Sequence, residues 1–396
     1  MHLSHNHGHL LGATLLVAGT SIGVAILALP VATAMGGFIP SIFLYLAVWL
    51  FMLSTGLLIL EACIWMPQGA NLITLTERLL GKWGKVLCWI IYLYLFYCLI
   101  IAHLVSGGSA IVAISLDTIS IWLGTIIYTL LFAPIVYLGT LWVDRLNITL
   151  MIGVVITYIL FVSFGIPLVN IELLKEMNWH KAWVALPVIF TAFGYQNIIP
   201  TLVTYLKRDI RKVRISILIG TFIPFLIYLL WQFTILGAIP LQGPHGLLEA
   251  LAKGETAIAP LQHFSEKAFL STIGQTFAFF VMTTSFIGIS IAFVDFLADG
   301  LKISKKGWNK LLICTLIFGI PLIITLIYPS IFLAALGYAG GIGVSILLGI
   351  LPILMVWNGR YKKKLHAPRL LPFGKPLLAI LFVFAFFQII IELILR

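Results

Sequence analysis

The chain contains eleven apolar segments that are each long enough to cross a lipid bilayer as a helix. About 20 helical residues span a hydrocarbon core of about 30 Å. With 61% hydrophobic and 9% charged residues, the chain has too few polar groups to cover itself in water. We therefore predict an all-α polytopic membrane protein, with residues 1–396 forming a single transmembrane domain. The segments lie near residues 10–34, 38–64, 86–112, 119–139, 147–168, 182–206, 214–236, 269–297, 309–328, 331–355 and 376–395.

The positions of the basic residues predict the orientation of these spans. The net charge of +11 comes from short loops, which indicates membrane topology and no nucleic-acid partner. Loops on the cytoplasmic side of a membrane are enriched in Lys and Arg. With a cytoplasmic N-terminus and the C-terminus outside, the cytoplasmic loops hold all but five of the 24 Lys and Arg residues. The five exceptions are Lys175, Lys181, Lys253, Lys267 and Arg396.

This orientation divides the chain into two units of opposite topology. Residues 10–168 contain predicted helices 1–5, residues 182–355 contain helices 6–10, and residues 376–395 form an additional helix 11. Inverted repeats of this kind are common in secondary transporters. We therefore expect a 5+5 inverted repeat plus one helix.

Glycine and polar residues interrupt the first helix of each predicted unit. Unwound backbone at membrane depth is tolerated where it lines protein or a cavity, because unpaired N–H and C=O groups are costly in lipid. We expect helices 1 and 6 to be unwound at mid-membrane and to bind substrate there. The alternative is that these glycines only allow close helix packing. The predicted substrate-binding residues are Gly19, Thr20, Ser21, Gly23, Phe193, Gly194, Tyr195, Gln196 and Asn197.

Broken helices suit a zwitterionic amino acid. The free amides at the start of a half-helix attract a carboxylate, and the free carbonyls at the end of a half-helix attract an ammonium group. The sequence has no Lys or Arg near the middle of helices 1, 3, 6 or 8. The site should therefore use backbone groups to hold both charges.

A second set of polar residues lies in helices 3 and 8. His103 is in the middle of helix 3, where an ionisable residue suggests a functional role. It is a candidate for substrate contact and for proton coupling, and the alternative is a neutral imidazole bonded to a neighbouring helix. The hydroxyls of Thr283, Thr284 and Ser285 are candidates for binding a coupling ion, so sodium stays open beside protons.

The motifs of other functional classes are absent from the sequence. It has no Walker loop, nucleophile elbow or H-E-x-x-H motif, and its four cysteines have no zinc or redox spacing. We therefore expect no enzyme activity, no cofactor and no metal centre. His2, His5, His7 and His9 resemble a metal-binding tract, but we interpret them as an unstructured tail. An uncoupled channel or sensor remains the alternative from a different class, and the oligomeric state stays open.

Several stretches carry a likeness to a known family: 19–23 with 26–30, 61–62 with 67–70, 106–109, 193–200, and 284–286 with 295–299. In these stretches the chain resembles the hydroxy and aromatic amino acid permease family of the amino acid–polyamine–organocation superfamily. The resemblance implies a fold of the leucine-transporter type and a bacterial inner-membrane symporter that imports tyrosine or tryptophan with protons. The family also includes serine and threonine permeases. For an aromatic substrate we expect the ring to lie against helices 3, 6 and 8, with Tyr97, Phe193, Tyr195 and Phe286 as candidate walls.

Overall fold

The computed structural model describes residues 9–67, 69–115, 118–138, 140–263 and 268–394. Side chains are not described at residues 140–145 and 268. Three of the four N-terminal histidines, and Lys267 and Arg396, lie outside the described residues. Within these ranges the regular structure is helical, apart from one isolated β-bridge between Gly37 and Met177.

Eleven spans can be recognised in the described part of the chain. Ten are helices long and apolar enough to cross a membrane, and two shorter helices bent by 53° form the eleventh. The predicted number of spans is confirmed. The bounds are helix 1a Leu10–Ser21, helix 1b Ala25–Thr33, helix 2 Phe38–Ile64, helix 3 Lys82–Ile114, helix 4 Ile121–Leu138, helix 5 Thr140–Gly165, helix 6a Leu186–Ala192, helix 6b Ile199–Tyr205, helix 7 Ile210–Ala238, helix 8 Ala268–Leu301, helix 9 Gly307–Ile327, helix 10 Phe332–Tyr338 continuing through Ala339–Ile350 to Leu351–Trp357, and helix 11 Gly374–Ile394.

Several helices extend beyond the apolar windows that predicted them. Helix 3 begins at Lys82 rather than near residue 86, and helix 8 continues to Leu301 rather than to residue 297. The added residues include charged and polar side chains, so a hydropathy window excludes them although the helical hydrogen bonding continues. The sequence windows therefore underestimate the length of these helices.

Small residues allow the helices around the first break to approach closely. A Cβ atom at Gly220 of helix 7 would lie 2.6 Å from the Cβ of Val17 in helix 1a. Gly107 and Gly108 of helix 3 leave the same kind of space for Tyr128 and Thr125 of helix 4. Such contacts are typical of membrane helix interfaces, where close van der Waals packing drives association. At these positions the glycines have a packing role.

A buried ion pair joins helix 2 to the turn Asn358–Lys362, which follows helix 10, at one end of the bundle. Nε and Nη2 of Arg360 donate to the two carboxylate oxygens of Glu61, each at 2.6 Å, and both side chains are at most 4% exposed. The amide of Leu370 also donates to Glu61, at 3.2 Å. Two parallel charge-assisted bonds fix the relative orientation of the partners. Lys82, Lys207, Arg208 and Lys302 lie at the same end, which we call the basic end.

Candidate functional site

Helix 1 is broken between Ser21 and Ala25. The last bond of helix 1a runs from the amide of Ile22 to the carbonyl of Ala18, at 3.2 Å. Helix 1b starts with the amide of Ile26 donating to the carbonyl of Gly23, at 3.2 Å. The amides at 23–25 therefore stand at the N-terminal end of helix 1b, where N–H groups have no intrahelical partner.

Helix 6 is broken between Ala192 and a 3₁₀ turn over Gln196–Ile198. The Gln196 side chain accepts a hydrogen bond from the amide of Tyr195 at 2.9 Å, and its Nε2 donates to the hydroxyl of Thr55 in helix 2 at 3.0 Å. The Tyr195 hydroxyl donates to the carbonyl of Met52, also in helix 2, at 3.2 Å. These bonds attach the second break to helix 2.

A cavity of about 560 Å³ lies between the two breaks and helices 3, 5, 8 and 10. Its size is within the range of small-molecule sites, about 300–1,000 Å³. Among the described residues that line it, none is Lys, Arg, Asp or Glu. The lining residues are Gly12, Leu15, Leu16, Gly19, Thr20, Ser21, Ile22, Gly23, Val24, Ala25, Tyr92, Leu95, Phe96, Leu99, His103, Asn147, Met151, Thr191, Gly194, Asn197, Thr284, Ser285, Gly288, Ile289, Ala292, Val344, Leu347 and Leu348.

The cavity brings together nine of the residues that the sequence singled out. These are Gly19, Thr20, Ser21, Gly23, His103, Gly194, Asn197, Thr284 and Ser285.

Five other candidates lie behind the cavity wall. Phe193, Tyr195, Gln196, Thr283 and Phe286 are all buried and do not line the cavity. The side chains of Tyr195 and Gln196 are directed to helix 2 by the bonds described above. In an α-helix successive side chains are about 100° apart, so Thr283, Thr284 and Ser285 face different directions. The three hydroxyls therefore do not converge on one point.

His103 connects helices 3 and 8 next to the first break. Its Nδ1 lies 2.6 Å from the carbonyl of Leu99, and its Nε2 lies 2.9 Å from Oγ of Ser285. A carbonyl only accepts, so Nδ1 carries a hydrogen, and in the neutral ring Nε2 accepts from the serine. A Cβ atom at Gly23 would lie 2.8 Å from the same Oγ. The Ser285 hydroxyl therefore lies between the His103 imidazole and the break in helix 1 and is adjacent to both.

The aromatic part of the wall comes from helix 3, and sequence reasoning missed it. Tyr92 and Phe96 line the cavity and stack with their ring centroids 5.7 Å apart. Tyr97, the predicted wall, is absent from the lining, and its hydroxyl lies 3.3 Å from the carbonyl of Leu316 in helix 9. Helical spacing from His103 selects positions 99, 96 and 92, so the periodicity of helix 3 contained the signal.

The cavity lining extends along helix 1a toward the basic end of the bundle. Leu15 and Leu16, in the first part of helix 1a, line it and are 57% and 43% exposed. Helix 1b, on the far side of the break, is buried throughout. The amide of Ala257, in the loop between helices 7 and 8, donates to the carbonyl of Leu27 at 2.9 Å and covers helix 1b.

An ion-pair cluster lies where helix 8 reaches the basic end. Lys305 pairs with Asp295 at 2.7 Å and with Asp299 at 3.4 Å. Its hydrogen bond to the Asp295 carboxylate raises the pKa of Lys305 above the ordinary lysine value. These side chains are 42% to 76% exposed, so they form a solvated cluster rather than part of the cavity.

Comparison with known protein families identifies the family to which this chain belongs. The model of the tryptophan/tyrosine permease family matches residues 6–392. The chain belongs to this family. It is therefore a multi-pass membrane transporter of a family named for aromatic amino acids, and it is not an enzyme.

Two individual relatives agree with this assignment, and a solved structure shares the fold. The permease is 31% identical over 372 residues to a tryptophan-specific transport protein of Haemophilus influenzae, covering 89% of this chain and 88% of the relative. It is 29% identical over 352 residues to tyrosine-specific transport system 1 of the same organism, covering 88% of each chain. The crystal structure of MhsT in complex with L-phenylalanine matches with a TM-score of 0.66 at 12% identity, covering 97% of each chain. The expected transporter fold is confirmed.

Proposed function

We propose that the permease imports tryptophan or tyrosine across the bacterial inner membrane by proton symport with alternating access. The observation that carries this proposal is the meeting of two broken helices at a cavity that has aromatic faces and no charged side chain among its described lining. The names of the two relatives favour the indole and phenol side chains over smaller ones.

The substrate's charged groups are held by backbone. The carboxylate binds the amides at 23–25, at the start of helix 1b, where the helix dipole favours an anion. The ammonium group binds carbonyls at the end of helix 6a, near Thr191 and Gly194, which both line the cavity. The amide of Tyr195 is already bonded to Gln196, so the start of helix 6b is a weaker anion site than the start of helix 1b.

The substrate's aromatic ring packs against helix 3. Tyr92 and Phe96 offer ring faces, while Leu99, Val344 and Leu347 supply aliphatic contacts. Aromatic pairs prefer offset or edge-to-face arrangements, and these add about 0.5–1.5 kcal/mol beyond area burial. A serine or threonine side chain would leave this part of the wall without contact, which disfavours these substrates.

The described conformation is the inward-facing state of the cycle. Lys and Arg residues cluster at the end toward which the cavity extends, and the positive-inside rule makes that end cytoplasmic. The N-terminus is then cytoplasmic and the C-terminus outside. Transport requires a second state in which the two inverted repeats, 10–168 and 182–355, exchange roles, so that helix 1b opens and helix 1a closes.

His103 is the proposed site of proton coupling. Protonation puts a hydrogen on Nε2, which then donates to Oγ of Ser285. The serine must then turn its own hydrogen to another acceptor, and the break at Gly23 is next to it. Proton binding thereby changes the hydrogen bonding of the same break that holds the carboxylate. Sodium coupling is the second candidate, because Thr284 and Ser285 line the cavity.

Uptake into proteoliposomes tests the proposal. With the interior alkaline and no sodium present, labelled tryptophan or tyrosine should accumulate above its external concentration, and serine should not compete. Accumulation that follows a sodium gradient instead would contradict proton coupling. Equilibration without accumulation under either gradient would indicate uncoupled passage and contradict symport.

A further inference from the structure

One tyrosine on helix 7 lies within hydrogen-bonding distance of the last carbonyls of helices 1a and 6a. Tyr228 is fully buried, and its hydroxyl oxygen lies 2.7 Å from the carbonyl oxygen of Ser21 and 2.9 Å from that of Ala192. Ser21 is the last residue of helix 1a, and Ala192 is the last residue of helix 6a. The hydroxyl thus stands where the two breaks meet.

The bond has a clear energetic reason. The last carbonyls of a helix have no partner within the helix, and leaving such a group buried and unsatisfied is costly. A hydroxyl has one hydrogen, so Tyr228 shares a single donor between two carbonyl acceptors. Its ring is fixed by an edge contact with Phe193, whose centroid is 5.1 Å away.

Helix 7 also holds helix 1a over the rest of its length. Gly220 packs against Thr14 and Val17, two to three turns before Tyr228 on the same helix. Tyr228 itself is absent from the cavity lining and reaches the breaks from the side of helix 7. Helix 7 is therefore a support to which both half-helices are attached behind the site.

We propose that Tyr228 is a positioning residue that fixes the two breaks relative to each other. A zwitterion with its carboxylate at helix 1b and its ammonium group at helix 6a spans both breaks. The zwitterion binds well only when the distance between the two breaks is fixed. A ligand with a single charge contacts one break and does not depend on that separation. The binding of a zwitterion across both breaks rests on the proposed function, whereas the attachment of the two breaks to each other through Tyr228 does not.

The first test compares Tyr228→Phe with Tyr158→Phe in the purified permease. The control removes a hydroxyl that also bonds to helix 7, at the carbonyl of Ile227 2.9 Å away, and not to the carbonyl of Ser21 or Ala192. Binding is measured with L-tryptophan, with tryptamine, which lacks the carboxylate, and with indole-3-propionate, which lacks the amine. Tyr228→Phe should weaken tryptophan binding about five- to tenfold, the size expected for one buried hydrogen bond, and change the other two ligands less than about twofold. Tyr158→Phe should change none of the three.

The second test needs no ligand. Amide hydrogen exchange should become faster at residues 22–24 and 193–195 together in Tyr228→Phe, and stay unchanged in Tyr158→Phe. Unchanged exchange at both breaks, unchanged tryptophan binding, or an equal loss for all three ligands would each overturn the proposal. If the unmodified permease binds neither tryptophan nor tyrosine, the proposed function fails, and the exchange result alone decides the role of Tyr228.

Discussion

Adding one methyl group at each of the two breaks should have very different effects. Neither Gly23 nor Gly194 has a positive φ angle, so alanine is acceptable to the backbone at both positions. At Gly23 the new Cβ would lie 2.8 Å from Oγ of Ser285. At Gly194 the nearest atoms would be a backbone oxygen at 3.5 Å and a Leu348 methyl carbon at 3.6 Å, which are ordinary contacts.

The expected loss of tryptophan affinity follows from the hydroxyl that a methyl group at Gly23 would displace. Ser285 must turn away, which breaks its 2.9 Å contact with Nε2 of His103. Breaking this bond leaves the buried nitrogen without a partner, which costs the binding-competent site about 1–3 kcal/mol. The middle of that range, about 2 kcal/mol, corresponds to a roughly 30-fold weaker affinity for tryptophan. Gly194→Ala should stay within about threefold of the unmodified permease.

Binding of labelled tryptophan to the two purified variants measures this difference. If the clash with the hydroxyl is the cause, Ser285→Ala should have little further effect in the Gly23→Ala background, because the two changes remove the same bond. Equal affinities for Gly23→Ala and Gly194→Ala would refute the reasoning.

Three further variants probe the stability, coupling and shape of the site. Glu61→Gln leaves a guanidinium buried without its counter-charge and should lower the free energy of unfolding by about 3–5 kcal/mol, measured by denaturation. The control is the exposed ion pair between Glu77 and Lys85, at 2.9 Å, where Glu77→Gln should cost less than about 1 kcal/mol. His103→Gln should abolish pH-driven accumulation while counterflow exchange persists, and full accumulation would exclude His103 from coupling. Gly56 of helix 2 faces the Tyr195 hydroxyl, so Gly56→Ala places a methyl group against it and should weaken tryptophan binding at least about tenfold. Unchanged binding would show that this contact does not support the second break.

The architecture could be predicted from the sequence because lipid imposes simple constraints on it. Span length follows from bilayer thickness, so eleven helices could be recognised without knowing any contact. Both breaks were predicted at nearly the right residues, since Gly19–Gly23 and Gly194–Asn197 are conspicuous within apolar runs. Helix ends were less predictable, because charged residues such as Lys82 continue a helix outside the apolar window.

The directions of the side chains at the two breaks could not be predicted from the sequence. A polar residue beside an unwound turn has either the substrate or the turn's own backbone as its partner, and the residue type does not distinguish them. Gln196 bonds to the backbone of the break and to helix 2, while Asn197 next to it lines the cavity. Tyr228 gave no local signal, because its two partners are 207 and 36 residues away along the chain. Tyr92 and Phe96 could have been predicted to line the cavity, because they lie on the same face of helix 3 as His103.

A structure of the permease with bound L-tryptophan tests the central claim most directly. The distances to measure join the substrate's carboxylate oxygens to the backbone nitrogens at 23–25. The account predicts at least one of about 2.7–3.2 Å, with the indole ring beside Tyr92 and Phe96. Tryptophan bound outside this cavity, or bound with its carboxylate on a side chain away from the break in helix 1, would contradict it.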